Sequence, residues 1–263
     1  MSIFLDSLPV GDRGLHYGDG LFETMAVTGG QVRLLPLHME RLALGAARLA
    51  FPPLDRQGLA ESLQQAAQEL GEGVLKLIVT RGCGGRGYLP PELPEPSLVL
   101  LRHLPLDSTG QDGVSVRLCE LRLSRQPALA GIKHLNRLEH VLARAEWQDP
   151  AIAEGLLRDA KGFLIEGVVS NLFLVQDGRL LTPLLDLCGV VGVMRTHVMQ
   201  RAAALGLALE ERRLRLDDLL AADEVFITNS LHGIRPVLRL SGHGEWPAGV
   251  VTRTLQHALW GQT

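Results

Sequence analysis

With 263 residues, 46% of them hydrophobic and 21% charged, the chain has the composition of an ordinary soluble globular protein. It is long enough for one large domain or two small ones around a cleft. A net charge of −3 with scattered arginines and no Lys/Arg block argues against nucleic acid as a partner. The start has no secretory pattern, no run approaches the ~20 apolar residues that span a bilayer, and three distant cysteines (Cys83, Cys119, Cys188) suit a reducing compartment. A cytoplasmic protein without a membrane partner is therefore expected.

In chain order, two short apolar runs, 21–27 and 31–34, flank Thr28-Gly29-Gly30 and predict a tight hairpin. Residues 37–50 carry Leu42, Gly45, Ala46 and Leu49 at helical spacing and stop at Pro52-Pro53. A second helix is predicted over 54–70, closed by Gly71, followed by buried strands at 74–80 and 97–102. Between those strands, 81–96 is rich in Gly and Pro, and a long irregular loop of this kind is often functional. The polar stretch 107–113 reads as a linker, dividing an N-terminal domain (1–106) from a C-terminal one (114–263). Beyond it the pattern predicts a strand over 114–119 and a helix over 135–147 with Leu135, Leu138 and Leu142 on one face. Hairpins at Asp159-Ala160-Lys161-Gly162 and Asp177-Gly178, strands at 168–175 and 179–181, and helices at 194–205 and 250–260 complete the reading. Hairpin-joined strands with grouped helices indicate α+β architecture and not a parallel Rossmann sheet.

Lysine is scarce. Only Lys76, Lys133 and Lys161 occur among 26 basic residues. An amine can lose its proton and attack a carbonyl, whereas a guanidinium stays charged, so each remaining lysine is a candidate for chemistry that arginine cannot perform. Lys133, in Gly131-Ile132-Lys133-His134-Leu135-Asn136-Arg137, stands before the predicted helix, and composition alone leaves a solvated lysine equally open. Gly82-Cys83-Gly84-Gly85-Arg86-Gly87 satisfies G-x-G-x-x-G, but Tyr88-Leu89-Pro90-Pro91 follows, so the helix a dinucleotide site needs cannot begin there. That loop reads instead as a mobile one presenting Arg86 and Tyr88 to a cleft, with a plain long surface loop as the alternative. Gly189-Val190-Val191-Gly192-Val193-Met194 leads into a predicted helix whose free N–H groups suit a phosphate, although the same glycines also serve a plain turn. Spacings for a metal site or a serine nucleophile elbow are missing, and His134 and His140 read as surface or supporting residues.

Several ordered motifs then act together. Arg13-Gly14-Leu15-His16-Tyr17-Gly18-Asp19-Gly20-Leu21-Phe22-Glu23-Thr24, His38-Met39-Glu40-Arg41-Leu42, Glu166-Gly167-Val168-Val169-Ser170-Asn171-Leu172-Phe173 and Gly192-Val193-Met194-Arg195 resemble the signatures of the class IV (fold type IV) pyridoxal-phosphate enzymes. These include branched-chain and D-amino acid aminotransferases and aminodeoxychorismate lyases. The resemblance spans nearly the whole chain and implies a two-domain α+β fold with the cofactor in the cleft between domains. It also implies roles for individual residues. Lys133 forms the Schiff base with pyridoxal 5'-phosphate and shuttles protons, and Glu166 pairs with the pyridine nitrogen. Arg41, the Gly192-Val193-Met194 turn and Asn229-Ser230 hold the phosphate.

Within the family, the segment from Gly131 to Glu139 and the run from Val74 through Arg86-Gly87-Tyr88 resemble the lyase branch. That branch implies conversion of the small molecule 4-amino-4-deoxychorismate to 4-aminobenzoate and pyruvate, a folate-pathway step. The substrate's two carboxylates require cationic or hydrogen-bonding groups. Arg86 and Tyr88 are the candidates, with Asn229 and Tyr17, and Phe22 lines an apolar wall. A homodimer is implied as well. The rival readings are a class IV aminotransferase acting on D- or branched-chain amino acids and a non-catalytic α+β binding protein.

Overall fold

The computed structural model describes residues 3–105 and 110–260. Three residues of the expected linker, 107–109, lie outside the described residues. The chain divides into two units. One holds the residues up to 105 together with Ile132–Arg137, the other residues 110–131 and those from Leu138 on.

The first unit opens with α1 (Arg13–Tyr17), whose N-terminus is capped by the Asp12 carboxylate accepting from Gly14 N–H at 2.7 Å. There follow β1 (Gly20–Thr28), β2 (Gln31–Val32), α2 (Leu35–Arg48), α3 (Arg56–Leu70), β3 (Gly73–Thr80) and β4 (Ser97–His103). The hairpin at Gly29-Gly30 forms as expected. Val27 pairs with Val32 and Thr28 with Gln31, and both loop glycines have positive φ, 56° and 71°, as a two-residue turn with matching twist requires. The strands order β2-β1-β3-β4, all neighbours antiparallel. Leu21, Met25, Leu75, Leu77 and Val79 point to one face and are almost fully buried, with Leu42 and Ala46 of α2 and Leu63 of α3 in the same core. Phe22, Thr24, Lys76 and Ile78 lie on the other, partly exposed face.

The segment expected to start a helix behaves differently. Phe22 N–H donates to Lys133 O at 3.0 Å, Leu135 N–H donates to Gly20 O at 3.0 Å, and Leu21 bridges His134. Residues 132–137 thus run as a strand-like strip along the free edge of β1. Pairing with a distant strand overrides local helical periodicity here.

The second unit contains β5 (Val114–Leu123), α4 (Leu138–Arg144), β6 (Ile152–Asp159), β7 (Leu164–Gly167), β8 (Asn171–Gln176), β9 (Arg179–Pro183), α5 (Val193–Ala204), β10 (Leu209–Arg212), α6 (Leu216–Leu220), β11 (Glu224–Asn229), β12 (Gly233–Leu240), β13 (Gly244–Glu245) and α7 (Val250–Trp260). Its sheet runs β10-β9-β8-β11-β12-β5-β6-β7, with β13 pairing β12. Near-continuous apolar strands signal burial on both faces. Leu172, Leu174, Val225, Ile227 and Val237 fill one core; Cys119, Trp147, Leu157 and Ile165 fill another.

Two expectations shift. The strand expected from Val168 starts at Asn171, because Gly167 N–H donates to Ser170 O at 2.7 Å and makes 167–170 a turn. The buried Glu154 carboxylate braces that turn by accepting from Val168 N–H, Val169 N–H and Ser170 Oγ. The helix expected over 135–147 is only α4, and its apolar stripe faces outward: Leu138 and Leu142 are 76% and 61% exposed. Among the described residues, no helix is long and apolar enough to cross a membrane.

Candidate active site residues

In the first unit the Lys133 amine lies 4.3 Å from the centroid of the Phe22 ring, on the partly exposed sheet face, and the Lys76 amine lies 5.5 Å from the same centroid. Two of the chain's three lysines therefore converge on one aromatic ring, an arrangement that combines an apolar wall with positive charge. The segment's backbone pairing with β1 fixes where Lys133 emerges.

Arg41 stands on α2 and is aimed by Glu23, the inward-facing neighbour of Phe22 on β1. Arg41 Nε donates to Glu23 Oε1 at 2.8 Å and Nη2 to Oε2 at 2.5 Å, a bidentate pair. His38, one turn earlier on α2, meets Glu23 Oε2 through Nδ1 at 2.5 Å. Burial pushes the Glu23 carboxyl up, but the Arg41 charge and His38 outweigh it and hold its pKa down at about 2. Burial lowers the pKa of His38; Glu23 opposes this, and Arg41 and Lys133 add to it. His38 is therefore neutral near pH 7, and with an ionised partner its Nδ1 carries the proton. Glu23 and His38 sit inside the motifs quoted above, yet no pattern in the sequence marks them as the pair that orients Arg41.

Tyr17 packs against Tyr88 with ring centroids 5.3 Å apart, while Arg86 and Tyr88 are exposed on the loop between β3 and β4. As expected, no helix follows the glycines of that loop.

In the second unit Glu166, at the end of β7, is 3% exposed. Its Oε2 accepts from Val190 N–H at 2.8 Å and its Oε1 meets His140 Nε2 at 3.1 Å. His140 thus supports Glu166. An ionised carboxylate has about four acceptor positions, so capacity remains for a further N–H donor such as a protonated pyridine nitrogen.

Gly192 is the N-cap of α5, with no side-chain cap bond, and Val193 and Met194 begin the helix with buried side chains. The first amides of a helix have no acceptor within it, and with glycine at the cap they suit a phosphate. Asn171 Nδ2 donates to Val190 O at 2.8 Å, tying this turn to β8. Asn229 accepts through Oδ1 from Leu231 N–H at 3.0 Å and His232 N–H at 2.8 Å, shaping the Asn229-Ser230 turn. The residues present therefore fit pyridoxal phosphate: an amine beside an aromatic face, an acceptor for the ring nitrogen and uncapped amides for the phosphate.

A β-carbon at position 192 would lie 2.0 Å from Asn171 Oδ1. Gly192→Ala is expected to displace the turn at a cost of about 1–3 kcal/mol, weakening cofactor binding roughly 5- to 150-fold in a spectroscopic titration. Unchanged affinity would remove this turn from the phosphate site.

Comparison with known proteins agrees with this geometry. The model of the amino-transferase class IV family matches residues 20–240. The chain is 36% identical to an aminodeoxychorismate lyase of Vibrio harveyi, over 96% of this chain and 95% of that protein. It is 32% identical to a putative branched-chain-amino-acid aminotransferase of Methanocaldococcus jannaschii, over 93% and 87%. The crystal structure of a 4-amino-4-deoxychorismate lyase from Pseudomonas aeruginosa superposes with a TM-score of 0.93 at 50% identity, covering 97% of this chain and 95% of that one.

Proposed function

Because the chain belongs to the amino-transferase class IV family, whose type IV α+β fold and pyridoxal-phosphate dependence it shares, we propose that it is a lyase converting 4-amino-4-deoxychorismate to 4-aminobenzoate and pyruvate. The observation that carries the reading is the Lys133 amine against the Phe22 ring, in a chain half identical to a solved lyase.

When bound, pyridoxal phosphate supplies an electron sink for negative charge developing next to the substrate nitrogen. Lys133 would hold the cofactor through Nζ, and its amine would move the proton from the amine-bearing ring carbon. Loss of that proton is matched by cleavage of the ring carbon–oxygen bond to the pyruvyl group, and the ring becomes aromatic. The departing enolate takes a proton from Lys133 at its methylene carbon and leaves as pyruvate, so atoms and charge balance. Glu166, steadied by His140 and Val190 N–H, keeps the pyridine nitrogen protonated. Arg41, the Gly192-Val193-Met194 turn and Asn229-Ser230 hold the phosphate. Phe22 shields the reacting ring from water, and Tyr17, Arg86, Tyr88 and Asn229 take the substrate's carboxylates.

The test supplies aminodeoxychorismate to the holoenzyme and measures both products together; equal yields of 4-aminobenzoate and pyruvate are expected. The 32% identity to a branched-chain aminotransferase relative supports a second reading, a class IV aminotransferase acting on D- or branched-chain amino acids. Absence of both products, with rapid bleaching of the cofactor band by D-alanine or leucine, would favour that reading.

We further propose a cytoplasmic homodimer. The three cysteines are free, which suits a reducing compartment. Exposed Leu138, Val141 and Leu142 on α4 are apolar surface that a second copy would cover. Light scattering measures the mass directly, and a monomer at micromolar concentration would overturn the dimer.

A further inference from the structure

We propose that Arg13 is a positioning residue, a fork that fastens the loop between β3 and β4 and so sets where Arg86 and Tyr88 meet an anionic substrate. The proposal rests on the reading above that these two side chains take a substrate carboxylate.

The loop from Arg81 to Pro96 is held at its start by Arg81 N–H on Asp19 O, Arg13 N–H on Gly82 O and a bridge between Asp12 and Cys83, and joins no ladder beyond that, so little in its own backbone fixes the course of residues 84–91. Arg13 supplies what is missing. It is 4% exposed, and its guanidinium donates to three consecutive carbonyl oxygens: Nη1 to Gly87 O at 3.1 Å and Leu89 O at 3.3 Å, Nη2 to Tyr88 O at 2.8 Å. The same group lies 4.9 Å from the Tyr17 ring centroid, and Tyr17 in turn packs on Tyr88. The loop is therefore held twice, by its carbonyls and by a side chain, while Arg86 and Tyr88 remain exposed.

The fork itself is firmly based. Arg13 Nε donates to Asp19 Oδ2 at 2.9 Å, and Arg81 Nε reaches the same oxygen at 2.8 Å. Arg81 continues to Leu49 O at 2.7 Å and Ala50 O at 3.0 Å, at the end of α2. Burial raises the Asp19 carboxyl, but the two arginines outweigh it and keep its pKa below the ordinary value. Five donors in a rigid plane can span an anion and three carbonyls at once; the ammonium of a lysine, one point at the end of a flexible stem, cannot. Two neighbouring glycines separate the effect of the fork from that of the loop. A β-carbon at Gly84 would lie 2.9 Å from Arg13 Cδ, whereas one at Gly85 would meet nothing within 4 Å, and neither backbone is in the left-handed region.

The experiment compares Arg13→Gln, Arg13→Lys, Gly84→Ala and Gly85→Ala holoenzymes with the parent. It reads hydrogen exchange of peptides covering 83–91, the cofactor absorbance, and kcat and KM for aminodeoxychorismate. Both Arg13 variants are expected to raise loop exchange about tenfold or more and to raise KM by a similar factor, with kcat within about threefold and the cofactor band unchanged. Gly84→Ala shifts both readouts the same way, and Gly85→Ala matches the parent. If Arg13→Gln does not fold, Gly84→Ala decides, because its site is an exposed loop position. Unaltered exchange in Arg13→Gln and Gly84→Ala overturns the clamp. Faster exchange with unaltered KM overturns the link to substrate and with it the role given to Arg86 and Tyr88. A parent protein that makes neither 4-aminobenzoate nor pyruvate overturns the functional reading instead.

Discussion

Lys133→Ala is expected to slow 4-aminobenzoate release by about 10⁴-fold or more, since the substitution removes both the attachment point of the cofactor and the group that moves the proton. Lys133→Arg should do no better. It keeps a positive charge beside Phe22, but a guanidinium neither attacks a carbonyl nor gives up its proton in a protein. The pair of variants separates a lysine that works as an amine from one that serves as a fixed cation. Lys76→Arg is the control, because it makes the same change at the other amine beside the Phe22 ring. Borohydride treatment followed by peptide mass spectrometry should place the cofactor's mass on the 133 peptide of the parent. An Arg variant retaining more than about one-hundredth of the rate would mean that charge alone suffices.

Glu23→Gln is expected to be the most destabilising single change outside the apolar core. It leaves the Arg41 guanidinium, 9% exposed, and a fully buried His38 without their carboxylate. Breaking a buried pair from one side costs about 3–5 kcal/mol, which for a chain of this size lowers the melting temperature by roughly 6–20 °C.

The pH dependence follows from the direction of the shift. Glu23 has a pKa of about 2 in the fold against an ordinary value of 4.5, so its contribution is complete above 4.5 and is lost as pH falls towards 2. The stability gap between parent and variant should therefore be full at pH 7 and shrink below pH 4.5. His38, whose pKa is also depressed in the fold, makes the parent lose stability as pH falls below about 6.5. Urea melts from pH 7 to pH 3 measure both effects. A gap that stays constant across that range would show that the carboxylate's charge contributes nothing.

Much of the architecture could be read from local pattern. The Gly29-Gly30 hairpin, α2, α3, β3, β4, α5 and α7 follow from alternation, helical spacing and stop signals, all carried by neighbouring residues. The strip around Lys133 could not be read that way, because its hydrogen-bond partners are Gly20 and Phe22, far earlier in the chain. The outward stripe of α4 misled for a related reason. Periodicity identifies an apolar face but not what covers it.

The site divides along the same line. The scarcity of lysine makes Lys76, Lys133 and Lys161 candidates without choosing among them, and both Lys133 and Glu166 are singled out by the motifs that surround them. The partnership of Glu23, His38 and Arg41 depends on a helix packing over an inward-facing strand position, which no local window contains.

The strip that carries Lys133 has a consequence for synthesis. Because residues 132–137 close the edge of β1 at Gly20–Phe22, the first unit is not contiguous in the gene. On the ribosome, a nascent chain that has already emitted β1 to β4 still exposes unpaired backbone beside Leu21. That edge is open to intermolecular pairing until the later segment emerges. The strip that seals it also bears Lys133, so one pairing both closes the edge of the first unit and places that amine.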